Sequence, residues 1–425
     1  MLKGIFYLIV LVFSGNALAV VGFNGLRNDS EAFVRSTCGG FASNGTSNSL
    51  EADLFATCGS MVESVNGLPG RSGPTVKNRA LSVDELAGGF QNMVPEETLA
   101  ATSISANTSS LNISTINSRL AKIRFGGGSG DDLFSSTRIG FFINGIGGFG
   151  VTDQTNEMNA SDFETKGVIS GFDYKVTENL IVGLAGSYSN FELDFNQNSN
   201  VSGGGIDSDS YSVTAYSNYA VGNAYVEGVF SYGWSEYEID RRIVIGSNTA
   251  VAAIDRTANA NPDGEQFSVS LAGGYDFHTE GFSYGPYARV AYFESTIDGY
   301  DETGAAGLNL RVGEHKSDSL ESVLGLQMTH AFSQSFGVLI PHVKAEWHHE
   351  FKNSQRYFDI SYVNDPRSNI YRSGTGNPDR NFFNVSAGLS ADLKYGFQTF
   401  FNYETILGLD NIDAHKFSAG LRMEF

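Results

Sequence analysis

Three features of the sequence predict an all-β fold, a twelve-stranded antiparallel transmembrane β-barrel. Period-two alternation recurs from residue 137 to the end, and the connections between alternating segments switch between short and long. Glycine is abundant (50 residues) and aromatics reach 12%, while proline is scarce (8), which suits many strands and tight turns. No composition break divides residues 137–425, although so long a chain would ordinarily form two or three soluble domains. The formal net charge of −20 argues against a nucleic-acid partner, because phosphate binding needs clustered Lys and Arg.

Residues 1–19 read as a secretory signal peptide. Lys3 supplies a positive charge, Ile5 to Phe13 is an apolar run, and Ala17-Leu18-Ala19 is a small-residue site, which places cleavage between Ala19 and Val20. The run is too short to cross about 30 Å of hydrocarbon as an anchor. No later stretch offers the roughly 18 apolar residues of a membrane helix.

Residues 20–75 hold the only two cysteines, Cys38 and Cys58. In an exported chain they are expected to pair, and no His lies between them to suggest a metal. Apolar spacing favours short helices near 30–37, 49–61 and 81–93, the last in a helical linker over 76–94. A module this small needs the disulfide as a staple. Residues 67–74, with Pro69 and Pro74, read as a loop.

Residues 95–130 carry a second helical signal. Pro95-Glu96-Glu97 is a good helix start, with acids at the positive end of the dipole. Leu111, Ile116, Leu120 and Ile123 follow at helical spacings, and Lys122 and Arg124 sit near the far end. A helix over 95–124 would run about 45 Å, enough to thread a barrel. Gly126-Gly127-Gly128-Ser129-Gly130 then supplies a hinge.

The barrel occupies residues 131–425. Its twelve segments run near 137–152, 162–176, 179–195, 207–221, 223–240, 264–278, 282–298, 318–332, 335–351, 381–394, 396–409 and 411–425. Each exceeds the five or six residues usual in a globular strand, and about ten tilted residues span a bilayer. Short turns, such as Gly222-Asn223 and Ser333-Gln334, alternate with polar loops at 241–263, 299–317 and 352–380. An even count returns both barrel ends to one side. Acidic loop residues such as Asp298, Asp301 and Glu302 read as hydrated.

Within strands one face suits lipid and the other a wet lumen. In 179–190, Leu180, Val182, Leu184 and Tyr188 oppose Asn179, Gly183, Ser187 and Ser189. Such strands must close, because no backbone group can stay unpaired in hydrocarbon. Arg138, Glu227, Arg289, Glu346 and Glu404 fall at inward positions and are candidate partners for the basic end of the helix. In the last strand Phe417, Ala419, Leu421, Met423 and Phe425 alternate with polar or small residues. An ending in Phe resembles the signal read by the outer-membrane assembly machinery.

Over residues 95–425 the chain resembles the translocator domain of classical (type V) autotransporters. Ile116, Asn117, Arg119, Leu120, Ile123 and Arg124 reproduce much of the family's pattern at the end of its pore helix. The resemblance implies a helix in the pore of a Gram-negative outer-membrane barrel that carries an upstream passenger to the cell surface. One branch of the family cuts its chain between two asparagines that correspond here to Ser114 and Thr115, so self-release by that route is not expected.

Catalysis is not expected. Gly281-Phe282-Ser283-Tyr284-Gly285 matches G-x-S-x-G, but that elbow needs a strand-to-helix turn. His348-His349-Glu350 lies on a strand, where neighbours face opposite sides. No cofactor is expected. The expected partners are outer-membrane lipid and lipopolysaccharide, the barrel assembly machinery and periplasmic chaperones, with the barrel a monomer. The leading reading is a translocator that displays its own short N-terminal segment. The alternatives are a channel plugged or gated by its helix, and an adhesin acting through its long loops.

Overall fold

The computed structural model describes residues 38, 48–69, 75–93, 100–101, 104, 113–121, 123–124, 138–154, 159–196, 203–352, 354, 357–374, 379–393 and 397–424. The expected cleavage site at Ala19 and Val20, the helix at 30–37, Leu111, Lys122, the glycine hinge and Phe425 lie outside them.

Twelve long strands form the wall: β1 (Ile139–Thr152), β2 (Ser161–Lys175), β3 (Leu180–Phe195), β4 (Gly204–Val221), β5 (Ala224–Ile245), β6 (Asp263–Tyr275), β7 (Phe282–Ile297), β8 (His315–His330), β9 (Gly337–Glu350), β10 (Asn381–Leu393), β11 (Phe397–Leu407) and β12 (Ile412–Glu424). Each pairs antiparallel with its sequence neighbours, and β1 meets β12 with Ile143 opposite Leu421 and Gly145 opposite Ala419. The ring is closed, so it has no free edge.

The alternation expected from sequence governs which way side chains face. Phe172, Leu184, Leu271, Phe401 and Leu421 are exposed on the outside, whereas Asp173, Ala185, Ser270, Asn402 and Glu404 are buried inside. Gly222 takes φ +60° in the two-residue β4–β5 turn, a conformation that Gly adopts without steric cost. The β5–β6, β7–β8 and β9–β10 connections, at the other end, are long. Both barrel termini, Ile139 and Glu424, lie at the short-turn end.

Two expectations about the loops need correction. The segment 241–263 is not a plain loop, because the alternation continues through Arg241, Ile243 and Ile245. A hairpin therefore extends β5, pairing Ile245 with Ile254 and Ile239 with Ala260. The other two long loops join as a small sheet in the order Tyr300–Asp301, Leu310–Val312, Tyr357–Tyr362, Tyr371–Gly374.

On this loop structure rest two helices, α1 (Ser49–Asn66) and α2 (Val83–Gln91). The Asn48 side chain caps α1 by accepting from Leu50 N and Glu51 N. Ser82 and Glu85 form a reciprocal capping box at the start of α2. Cys38 is disulfide-bonded to Cys58 of α1.

Candidate functional site

The described residues of the chain between α2 and β1 lie inside the barrel, and their apolar contacts mark successive depths. Nearest the loop end, Ala100, Ala101 and Ile104 pack among Phe191, Leu193, Ile206, Tyr237 and Ile297. Deeper, the chain is helical at residues 113–121 and 123–124. There Ile116 and Leu120 are fully buried against Phe142, Ile169, Ala185, Tyr216 and Val229, with Ile123 at the margin. The four-residue spacing puts Ile116 and Leu120 on one face of the helix, which meets the wall from β1 to β5.

The opposite face is polar. Asn117, Ser118, Arg119 and Arg124 line a cavity of about 110 Å³, whose far wall includes Tyr287, Arg289, Gln327, Lys344 and Glu346. The helix therefore leaves an uneven gap, open on the side away from its apolar stripe.

Charge fixes the helix in depth. Arg119 pairs with Asp173 of β2 and lies 5.3 Å from the centroid of the Phe142 ring. Arg124 pairs with Glu227 of β5 and with Asp276, 3.0 Å away at the end of β6. Its guanidinium carbon sits 3.5 Å from the Tyr225 ring centroid, a cation–π contact. These ions are nearly dry, so each needs its partner.

Of the five expected lumen charges, Glu227 is the one that pairs with a helix base among the described residues. Arg289 and Glu346 pair with each other at 3.0 Å. Glu404 pairs with Lys416, and Lys416 in turn donates to the Ser114 hydroxyl at 2.8 Å. Arg138 is exposed, one residue ahead of β1, so its inward placement is corrected; the strand has not yet begun there. The other partners of the helix bases, Asp173 and Asp276, are buried at inward positions, which the alternation gives for Asp276 without marking either acid as a partner.

The long-loop end carries a second structured region, a cap. Its apolar core combines Cys58, Leu54, Met61, Leu86 and Phe90 from α1 and α2 with Ile243, Ile245, Leu308, Leu310 and Ile360 from the loops. Three arginines tie the parts together. Arg241 of β5 grips Glu302 with a 2.8 Å bond from Nε and donates to the carbonyls of Leu308 (3.0 Å) and Asn92 (3.1 Å). Arg256 pairs with Asp53 of α1, and that hydrogen bond holds the Asp53 carboxyl below its usual 3.8. Arg79 donates to the carbonyl of Ala252 (2.7 Å), and Asn248 N returns a 2.8 Å bond to the Arg79 carbonyl. Glu302 is thus 4% exposed and paired, not a hydrated loop acid as its polar surroundings suggested.

The motifs with catalytic overtones fall elsewhere. Ser283 Oγ is 2.8 Å from His278 Nδ1, but the two are cross-strand neighbours in the exposed β6–β7 hairpin, and no helix follows the serine. His348 faces Glu321 inside while His349 bonds Asn381 at an exposed position.

The model of the autotransporter beta-domain matches residues 141–404 of the chain. Outer membrane protein A of Rickettsia rickettsii is 25% identical over 342 residues, which cover 78% of this chain and 15% of that protein. The chain therefore spans a minor part of that relative. The translocator domain of autotransporter NalP from Neisseria meningitidis superposes with a TM-score of 0.56 at 18% identity, covering 77% of this chain and 100% of that one. The transport unit of the autotransporter AIDA-I from Escherichia coli gives 0.50 at 16% identity, covering 78% and 99%. At these identities the likeness is one of fold.

Proposed function

The chain belongs to the autotransporter β-domain family and is an outer-membrane barrel, and on that footing we propose that it carries its own N-terminal segment to the cell surface and keeps it there, docked on its long loops. One observation carries this reading: the threaded path from Met93 at the loop end, past Ile104 and Ile116, to Arg124 beside the short-turn end. Short turns are periplasmic and long loops external in barrels of this kind, so a chain threaded this way leaves α1 and α2 outside. The signal peptide is removed between Ala19 and Val20 on export. The barrel acts without catalysis and as a monomer. Its exposed apolar band, with Phe172 at 60% and Leu271 at 63%, meets lipid and lipopolysaccharide. Periplasmic chaperones and the assembly machinery deliver it, reading the last strand.

An epitope placed at Val76, which is 93% exposed, tests this reading on intact cells. Antibody binding is expected without permeabilisation. Binding that appears only after the outer membrane is opened would overturn it. The cavity beside the helix supports a second reading, a channel restricted by its helix, which predicts small steady currents in a planar bilayer.

A further inference from the structure

The core at the loop end belongs to neither of its halves alone. Among the described residues, nine of its twenty buried members come from the N-terminal segment and eleven from β5, its hairpin and the loops. The N-terminal segment thus supplies less than half of that core and one disulfide, too little to fold by itself. Its backbone is incomplete in the same way. The carbonyls of Asn78, Arg79 and Ala80 accept from Thr249, Asn248 N and the Asn248 amide, and the carbonyl of Asn92 just past α2 accepts from Arg241. Arg79 is buried, and a buried carbonyl without its donor is costly, so the segment gains from ordering where Asn248 stands.

The fit is close enough to be selective. The Gly307 backbone donates at 3.0 Å to Asp53 and lies so near α1 that a Cβ there would sit 2.5 Å from Leu50 O and from Leu54 N. Gly89 of α2 makes a similar approach, where a Cβ would meet Met61 Cε at 3.0 Å and Ile245 Cγ2 at 3.6 Å.

We infer that the long loops are a folding template for the N-terminal segment, which stays unfolded until it reaches them and is held outside by folding onto them. This rests on the threaded reading proposed above. A segment unable to complete its core in the periplasm remains an extended chain that a barrel can pass. Once it meets Leu308, Leu310, Ile360 and Arg241, the shared core closes and return becomes unfavourable.

The test uses the full chain, with Gly307→Ala and Leu310→Asp as loop variants. Heat-dependent gel migration reports barrel closure, antibody against the tag at Val76 reports position, and external protease reports folding of residues 48–93. The expected result is a closed barrel and surface tag in every variant, with proteolysis of the segment accelerated at least tenfold in the loop variants. A segment as resistant in Leu310→Asp as in the unaltered chain would overturn the template. A tag hidden in the unaltered chain would instead overturn the threaded reading. Should a variant fail to close, pulse-labelled hydrogen exchange during refolding of the unaltered chain decides the matter. Amides of α1 and α2 are then expected to gain protection no earlier than those of Leu310–Val312 and Tyr357–Tyr362, and earlier protection would overturn the template.

Discussion

Arg241 Nη1 donates to the carbonyl of Asn92 at 3.1 Å, joining the outer end of β5 to the residue that closes α2. The same guanidinium neutralises Glu302, and both side chains are 2% exposed. In Arg241→Ala the Glu302 charge would be left buried and unpaired, a change that typically costs about 3–5 kcal/mol. Docking of α1 and α2 is therefore expected to weaken while the barrel persists, since Arg241 lies beyond the part of β5 that pairs with β6. Hydrogen exchange should show faster opening of Val83–Gln91 with unchanged rates in β1 and β12. Equal rates in both chains would remove Arg241 from this role.

Removing the helix bases tests a different contact. Arg119→Gln with Arg124→Gln takes Arg124 from Glu227 and Asp276 and leaves Asp173 only the more distant Arg422, 3.7 Å away, inside the lumen. Ile116 and Leu120 still bind the wall, but the lower end of the helix loses what fixes its depth. Single-barrel conductance is expected to rise severalfold, with a shift toward cation selectivity from the exposed carboxylates. Unchanged conductance would mean that apolar packing alone restricts the pore.

The barrel was legible because its physics is periodic. Alternation such as Phe172-Asp173-Tyr174 states which side meets lipid, and the short turns state the topology, so twelve strands emerge within a few residues of their observed ends. The helix face holding Ile116 and Leu120 was legible for the same reason. The cap was not. Arg241 and Glu302 stand 61 residues apart, and their partner Asn92 lies 149 residues from Arg241, so no local pattern announces the contact. Loop acids look alike whether hydrated or buried, which is why Glu302 passed as ordinary while Asp298 is in fact exposed. Arg138 failed for a smaller reason, since parity assigns a direction only inside a strand.

Acid should release the cap through Asp53. Its hydrogen bond to Arg256 lowers its folded value beneath the ordinary 3.8, with the Gly307 N–H adding to the effect. A carboxylate depressed in the folded state contributes stability that is fully present above its unfolded value and is lost as pH falls through the folded one. Docking is therefore expected to be insensitive to Asp53 from neutral pH down to about 4, and to loosen below that. Pepsin digestion of the segment across pH 2 to 4 should accelerate steeply in the unaltered chain and less so in Asp53→Asn, which begins looser. Identical profiles would detach Asp53 from the acid response.

The chain is expected to remain uncut at residues 114 and 115. Cleavage in the related branch uses an asparagine side chain as the nucleophile, and here those positions hold Ser114 and Thr115. Serine could substitute only if a base removed its proton. Lys416 stands beside it, with Nζ 2.8 Å from the Ser114 hydroxyl. Lys416 is also ion-paired with Glu404, and an ammonium donates to the hydroxyl instead of deprotonating it. Thr115 is 8% exposed, so water has poor access to the bond. Intact-mass measurement on outer membranes should therefore find residues 48–93 covalently joined to the barrel, and Ser114→Ala should leave that mass pattern unchanged apart from the substitution. A clean new terminus at Ser114 or Thr115 in the unaltered chain would show that the chain is cut there after all.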